Sequence, residues 1–311
     1  MKSDQKGSKR VRESLKPERG SMLRRIPPIQ GIPRVISVTS GKGGVGKTNT
    51  AVNLSIALVD QGYRVLLMDC DLGLANVDVM FGVEPRKTIE QVIVGEMPLS
   101  EAITETPHGV SIIPAASGVE SLALLSSDQR MRMCAELETV ARGYDYLIID
   151  TQAGIGPDVM YFNAVSSEVL VVVTPEPTAI ADAYALIKIL VNHYGETKLS
   201  LIVNNVSAFD DEPERVAYRA ASRLIHSCER FLRTSVSYCG YIPHDPAVSE
   251  AISRHRPLLE IFPSSKAGLS LRKLAKYVDE AYEEPQVRGG LQLFFQDILN
   301  RQESLFRQDA P

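Results

Sequence analysis

The chain has 311 residues, 44% of them hydrophobic and 23% charged, with a net charge of −4, a balance that suits one large or two small water-soluble domains with a sizeable core. Its four cysteines, Cys70, Cys134, Cys228 and Cys239, are far apart and form no C-x-x-C pair, which argues against a disulfide framework or a zinc site and favours a reducing, cytoplasmic setting. No run approaches the roughly 18 consecutive apolar residues of a spanning helix, and no apolar stretch follows the basic N-terminus, so neither membrane threading nor export is expected.

The charge is unevenly spread. Residues 1–34 hold ten Lys or Arg against three Asp or Glu, a net of +7, which leaves −11 for the remainder. Such a polybasic leader, interrupted by Ser, Gly and Pro, reads as a disordered extension. It is either a solvated tail or a docking segment for an acidic protein surface, nucleic acid or anionic lipid.

After it the texture becomes alternating strands and helices. "RVISVTS" (34–40) is a β-branched strand run. "TNTAVNLSIALVDQG" (48–62) follows with helical spacing at Val52, Ile56 and Val59 and a stop at Gly62, and "RVLLMDCD" is the next strand. Further strands are predicted at "GVSIIPA" (109–115), "YDYLIID" (144–150), "EVLVVVTP" (168–175), "KLSLIVNN" (198–205) and "VSYCGYIP" (236–243). "AYALIKILVNHY" (183–194) is apolar on more than one face and predicts a buried helix, while "DDEPER" (210–215) reads as a helix-entry loop. Short apolar strands alternating with helices predict an α/β fold, a mostly parallel sheet covered on both faces. The organisation expected is a basic extension over 1–34, one domain over 35–284, and an amphipathic C-terminal helix over 285–311.

The chemistry falls at the carboxyl ends of strands, where such folds place it. Gly41 to Thr48, "GKGGVGKT", matches G-x-x-x-x-G-K-[ST] between a strand and a helix, the context of a phosphate-binding P-loop. Gly41, Gly43, Gly44, Val45 and Gly46 belong to this segment, and Asn49 follows it as a further nucleotide-binding candidate. The segment's backbone N–H groups converge on phosphate oxygens, Lys47 reaches the β- and γ-phosphates, and Thr48 offers a hydroxyl to Mg²⁺. Asp69, Asp71 and Asp150 end strands, where carboxylates hold Mg²⁺ waters or orient an attacking water. Each is also a candidate helix cap, Asp69 above all. "DTQAG" brings Asp150, Thr151, Ala153 and Gly154 to where a γ-phosphate would lie, the expected place for a hydrolysis-sensing switch. His108, His193, His226, His244 and His255 stand at no metal-ligand spacing.

"GKGGVGKT" resembles the deviant Walker A of the MinD/ParA class of P-loop ATPases. The resemblance implies that Lys42 reaches across a dimer interface to the partner's nucleotide, that Asp71 of the D-x-D positions the hydrolytic water, and that Asp150–Gly154 is the D-x-x-A-G. "DLGLANVDVMFGV", "IIPAASG", "DTQAGIG", "PEPTAIADAYALIK", "GYIPHDPAVSEAI" and "GGLQLFFQDIL" are similar to the FlhG/FleN flagellar-number regulators of that class, over about residues 34–300. That similarity implies a slow, regulatory ATPase with ATP and Mg²⁺ as cofactors, a homodimer when ATP-bound. It implies restraint of a flagellar AAA+ transcription activator of the FleQ/FlrA type, joint action with the FlhF GTPase, and contact with flagellar C-ring proteins. The D-Q-A-x-x-L-R segment of members that stimulate FlhF is not matched by "DQKGSKRVRESL" or "SMLRRI".

The same resemblance puts an asparagine against adenine, Asn204 first and Asn205 second, with Pro243 and Asp245 in the same region; both asparagines also suit a plain turn. In "GGLQLFFQDILNRQESLFR" (289–307), Leu291, Phe294, Phe295, Ile298 and Leu299 line one helical face. This helix is read either as a conditional anionic-membrane or partner helix or as one packed permanently on its own domain, since its Asp, Glu and Arg charges cancel. The implied location is cytoplasmic, with reversible membrane association at the cell pole. Competing readings are a ParA-like DNA or cargo-positioning ATPase, against which the −11 body argues, and a nucleotide-gated binding module in which hydrolysis is not required. No direct specific DNA binding is expected.

Overall fold

The computed structural model describes residues 33–71, 76–115, 126–195, 198–207 and 212–281. All but the last two residues of the predicted basic extension lie outside that set, as does the predicted helix over 285–311 with Leu291, Phe294, Phe295, Ile298 and Leu299.

An eight-stranded sheet forms the centre. β1 (Arg34–Ser40) leads through the glycine-rich loop to α1 (Lys47–Asp60) and β2 (Val65–Cys70). Short helices α2 (Val77–Phe81) and α3 (Ile89–Ile93) precede β3 (Thr104–Glu105) and β4 (Val110–Ile113). Then α4 (Ser127–Ala141), β5 (Tyr146–Ala153), α5 (Pro157–Val165), β6 (Glu168–Val173), α6 (Pro177–Tyr194), β7 (Leu199–Val206), α7 (Pro213–Leu232) and β8 (Val236–Pro243) alternate. Helices α8 (Pro246–Ser253), α9 (Leu258–Ile261) and α10 (Lys266–Glu280) close the described chain. The order is β3-β4-β2-β5-β1-β6-β7-β8, parallel throughout except for the β3–β4 pair. All seven predicted strands are present. β3 is the addition, an antiparallel edge too short for hydrophobic periodicity to reveal.

Each continuous apolar strand run resolves into two faces because side chains alternate. From β1, Ile36 and Val38 pack with α1 and α10, whereas Val35 points to the opposite side with Met133 and Leu137 of α4. β6 and β7 contribute Val169, Val171, Leu201 and Val203 to a third cluster, shared with α6 and α7. Burial of both faces is what makes these strands read as unbroken Val/Ile/Leu runs. Proline opens α5, α6, α7 and α8, the position where its missing N–H costs no hydrogen bond.

Helix α6 differs from the reading of its sequence. Burial is confined to one stripe, Ala179, Ala183, Leu186, Ile187 and Leu190, while Ala185 and Lys188 are exposed. Alanine is apolar enough to blur the periodicity yet small enough to sit in water at little cost. The predicted entry loop ends as expected, with Glu212 at the N-cap and Glu214 in the first turn of α7. At the opposite end of the sheet from the glycine-rich loop, buried Arg34 joins three elements by pairing with Glu168 and the Val278 carbonyl.

Candidate nucleotide-binding and hydrolysis site

The central strands bring the candidate residues to one edge of the sheet. β5 lies between β2 and β1, so Asp150 sits opposite Asp69 on one side and Val38 on the other. Beyond the end of β1 the loop reaches α1 through Gly46, whose φ of 92° is left-handed and suits glycine. No side chain caps α1 and no acidic residue occupies its first turn. The first N–H groups of a helix lack intrahelical partners, so this start is open to an anion.

Lys47 and Asp150 form the buried part of the site, 8% and 1% exposed. Burial pushes the Asp150 carboxyl up to about 7, against the opposing hydrogen bond of Thr48 and the nearby Lys47 charge. Its Oδ1 has no hydrogen-bond partner. Asp69 is different. Burial raises it to about 6, but its Oδ1 accepts the Asp71 N–H at 2.9 Å and its Oδ2 accepts those of Asn76 and Val77 at 3.2 Å. Asp69 thereby braces the turn that carries Asp71 and the start of α2, because those amides need an acceptor. Asp71 itself is half-buried beside it.

Behind the carboxylates runs a buried hydroxyl network. Thr151 Oγ1 lies 3.1 Å from the Val38 carbonyl and 3.0 Å from Thr39 Oγ1, which accepts a hydrogen bond from Asn163 Nδ2 of α5 at 3.1 Å. The Gly154 N–H donates to the Ser40 carbonyl at 2.9 Å. Residues 150–154 are thereby tied both to the strand feeding the phosphate loop and to the helix that follows. Ala153 and Gly154 are half-buried, and Ile155 next to them is 52% exposed.

Lys42 stands apart from Lys47. Its ammonium is on the rim, 3.1 Å from Glu176 Oε2 and 3.4 Å from Thr178 Oγ1 at the start of α6. Both members of the pair are exposed, 43% and 60%, so the attraction is weak and solvent-screened. Sequence reading did not anticipate Glu176 or Thr178; the partners lie more than 130 residues away in the chain.

At the end of β7, Asn204 Nδ2 donates to the Val45 carbonyl at 2.7 Å and packs on Gly46, where a Cβ would overlap it. Asn205 adopts a φ of 56° and its Oδ1 is 2.8 Å from His244 Nδ1. Pro243 pairs with Val206 across β7 and β8. Asp245 caps α8 through the Ala247 N–H and also accepts the Ala267 N–H, at 3.0 and 3.1 Å. Both of its oxygens therefore serve backbone amides.

Residues 33–203, more than half of the chain, match the family described as an AAA domain. The antiactivator FleN of Pseudomonas aeruginosa is 42% identical over 266 residues, covering 86% of this chain and 93% of that one. The chain belongs to the FlhG/FleN family. The flagellum site-determining protein YlxH of Helicobacter pylori is 35% identical over 275 residues, 87% of this chain and 91% of its own. Among solved structures, the septum site-determining protein MinD complexed with Mg-ADP from Pyrococcus horikoshii superimposes with a TM-score of 0.66 at 28% identity, covering 80% of this chain and 97% of that one.

As a FlhG/FleN protein with a MinD-type fold, the chain is an ATPase. Its residues fit Mg²⁺ and a polyphosphate: Thr48 supplies a hydroxyl, Asp150 an oxygen without a partner, and the uncapped start of α1 a set of N–H donors. A cation beside Asp150 would hold it ionised, reversing the effect of burial. Among the described residues no group of three or more His, Cys, Asp or Glu could hold a metal by itself, and no helix is long and apolar enough to cross a membrane.

Proposed function

We propose that this FlhG/FleN protein is an ATP-dependent dimerisation switch that limits flagellar number by restraining a flagellar AAA+ transcription activator and acting with the FlhF GTPase. The relative named as an antiactivator supports the regulatory part of this reading. The observation that carries the switch is the separation of two lysines: Lys47 is buried beside Asp150, while Lys42 is exposed at the rim on a weak, releasable ion pair.

In the proposed cycle two chains close face to face. Lys47 and the phosphate-loop amides of Gly43 to Thr48 hold the phosphates of their own nucleotide. Lys42 leaves Glu176 and Thr178 and reaches the partner's γ-phosphate, where a preorganised charge opposes the charge developing in the transition state. Thr48, Asp69 and Asp150 would hold Mg²⁺ and its waters, and the ion would offset charge on the β- and γ-phosphates. Asp71 accepts a hydrogen bond from the attacking water and orients it. The base lies toward Asn204, Asn205 and Pro243. Loss of the γ-phosphate removes the group that both chains share, and residues 150–154 relax with it. The dimer population then falls because ATP no longer favours it. Residues 285–311 would carry the conditional membrane or partner contact, and the working place of the protein would be the cytoplasm and, reversibly, the membrane at the pole.

Light scattering with ADP and with a non-hydrolysable ATP analogue tests the switch. A dimer only with the analogue, lost in Lys42→Ala while nucleotide binding persists, is the expected result. A Lys42→Ala protein that still dimerises on the analogue would remove the trans role.

A further inference from the structure

Among the described residues β8 is an edge strand, paired with β7 alone. Between it, α7 and α10 lies a cavity of about 460 Å³, within the roughly 300–1,000 Å³ typical of small-molecule sites. None of its lining residues belongs to the phosphate loop, the aspartate cluster or the switch.

The lining combines two chemistries. Tyr238 and Tyr241 of β8 and Tyr218 of α7 supply aromatic surface, and Tyr218 is 64% exposed. Arg215 and Arg219, one helical turn apart on α7, and Lys273 on α10 supply positive charge, with Glu214 the single carboxylate. The Tyr238 hydroxyl is buried without a hydrogen-bond partner. Burial pushes that phenol up to about 12, so it remains a donor at neutral pH.

Gly240 shapes the floor. Its φ is 113°, the β7–β8 register shifts beside it, and no atom lies within 4 Å of the place a Cβ would take. This irregularity interrupts the free ladder edge, which disfavours an added peptide strand. A hydrocarbon ligand would desolvate the cationic groups of the lining with no return. A bare phosphate would leave the tyrosine faces unused. A planar base joined to a phosphate uses the whole set: rings stack on tyrosine, guanidinium and ammonium groups meet phosphate oxygens, and a carboxylate accepts from an exocyclic amine.

We propose that this edge cavity is a second nucleotide site, separate from the phosphate loop, that takes a nucleoside monophosphate with its base against the tyrosines and its phosphate toward Arg215, Arg219 and Lys273. The proposal does not depend on the dimerisation cycle.

Calorimetric titration of the full chain, saturated beforehand with Mg-ADP, tests it with AMP, GMP and inorganic phosphate as separate ligands. Saturable binding of AMP or GMP is expected, weakened about tenfold or more in Tyr218→Ala and in Lys273→Glu, with ATP turnover unchanged in both variants. The proposal is overturned if neither monophosphate binds once Mg-ADP is in place, if inorganic phosphate binds equally well, or if both variants bind as the parent does. The two substituted side chains are surface groups, and the unchanged turnover reports that the fold is intact.

Discussion

Asp69 and Asp150 face each other on adjacent strands, yet only Asp69 has both oxygens filled by backbone amides, while Asp150 keeps Oδ1 without a partner. The difference divides a pair of similar buried carboxylates into a brace and a ligand-ready group. It also makes Asp150 a liability to the nucleotide-free fold, since burial raises its pKa to about 7.

Asp150→Asn is therefore expected to stabilise the nucleotide-free protein at pH 8 while abolishing turnover. A carboxyl whose folded pKa is raised contributes fully below its unfolded value of about 3.9 and loses that contribution as pH rises through the folded value. The gain above pH 7 is roughly 1–4 kcal/mol. Scanning calorimetry at pH 8 reads it as a higher Tm, and an unchanged or lower Tm would contradict the account.

Gly41 and Gly43 belong to the same loop but differ in what surrounds them. A Cβ on Gly41 would overlap the backbone carbonyl of Asp182 in α6, whereas one on Gly43 would stand 4.0 Å from the Ala153 methyl. Gly41→Ala should cost about 1–3 kcal/mol or more by forcing α6 away from the loop. Gly43→Ala should unfold near the parent's urea midpoint, and equal midpoints for the two variants would refute the packing argument.

Asn204 pins the phosphate loop through the Val45 carbonyl. Removing that bond in Asn204→Ala should cost about 1 kcal/mol, a roughly fivefold loss of nucleotide affinity. The loss should be shared by ATP and GTP, because the effect passes through the loop. A loss confined to ATP in competition binding would instead mark a direct contact with adenine.

His108 gives a pH dependence of the opposite sign. Burial, then the charge of Arg256, lowers its pKa, although Glu260 lies 3.2 Å from Nε2. Arg256 pairs with the same Glu260 carboxylate, so the attraction that would favour a charged imidazole is already offset. The unfolded chain then binds a proton that the folded chain resists, and stability should fall as pH drops below about 6.5. In His108→Gln that part of the slope between pH 7 and pH 5 should flatten in urea titrations; a parallel slope would exclude His108 as its source.

Much of the molecule is legible in the order of its residues. The run of β1, the glycine-rich loop and the start of α1 read as a candidate phosphate site because backbone sterics and helix-end amides act between neighbours. The seven longer strands declare themselves because burial on both faces demands unbroken apolar runs. The partners of those local features are a different matter. Asp69 reads in sequence as a cation ligand or a cap, and only the fold brought the amides of Asn76 and Val77 to its carboxylate. Glu176 became the partner of Lys42, and Asn204 the pin of Val45, because the sheet sets β1, β6 and β7 side by side although they are far apart in the chain. β3 was invisible because two residues carry no period. The edge cavity draws on α7, β8 and α10, three segments that only the fold brings around one space. Sequence sets what each segment can be, because propensity and sterics are local. Which hydrogen bonds are satisfied, and which polar groups remain for a ligand, depends on contacts that exist only once the sheet has placed distant segments side by side.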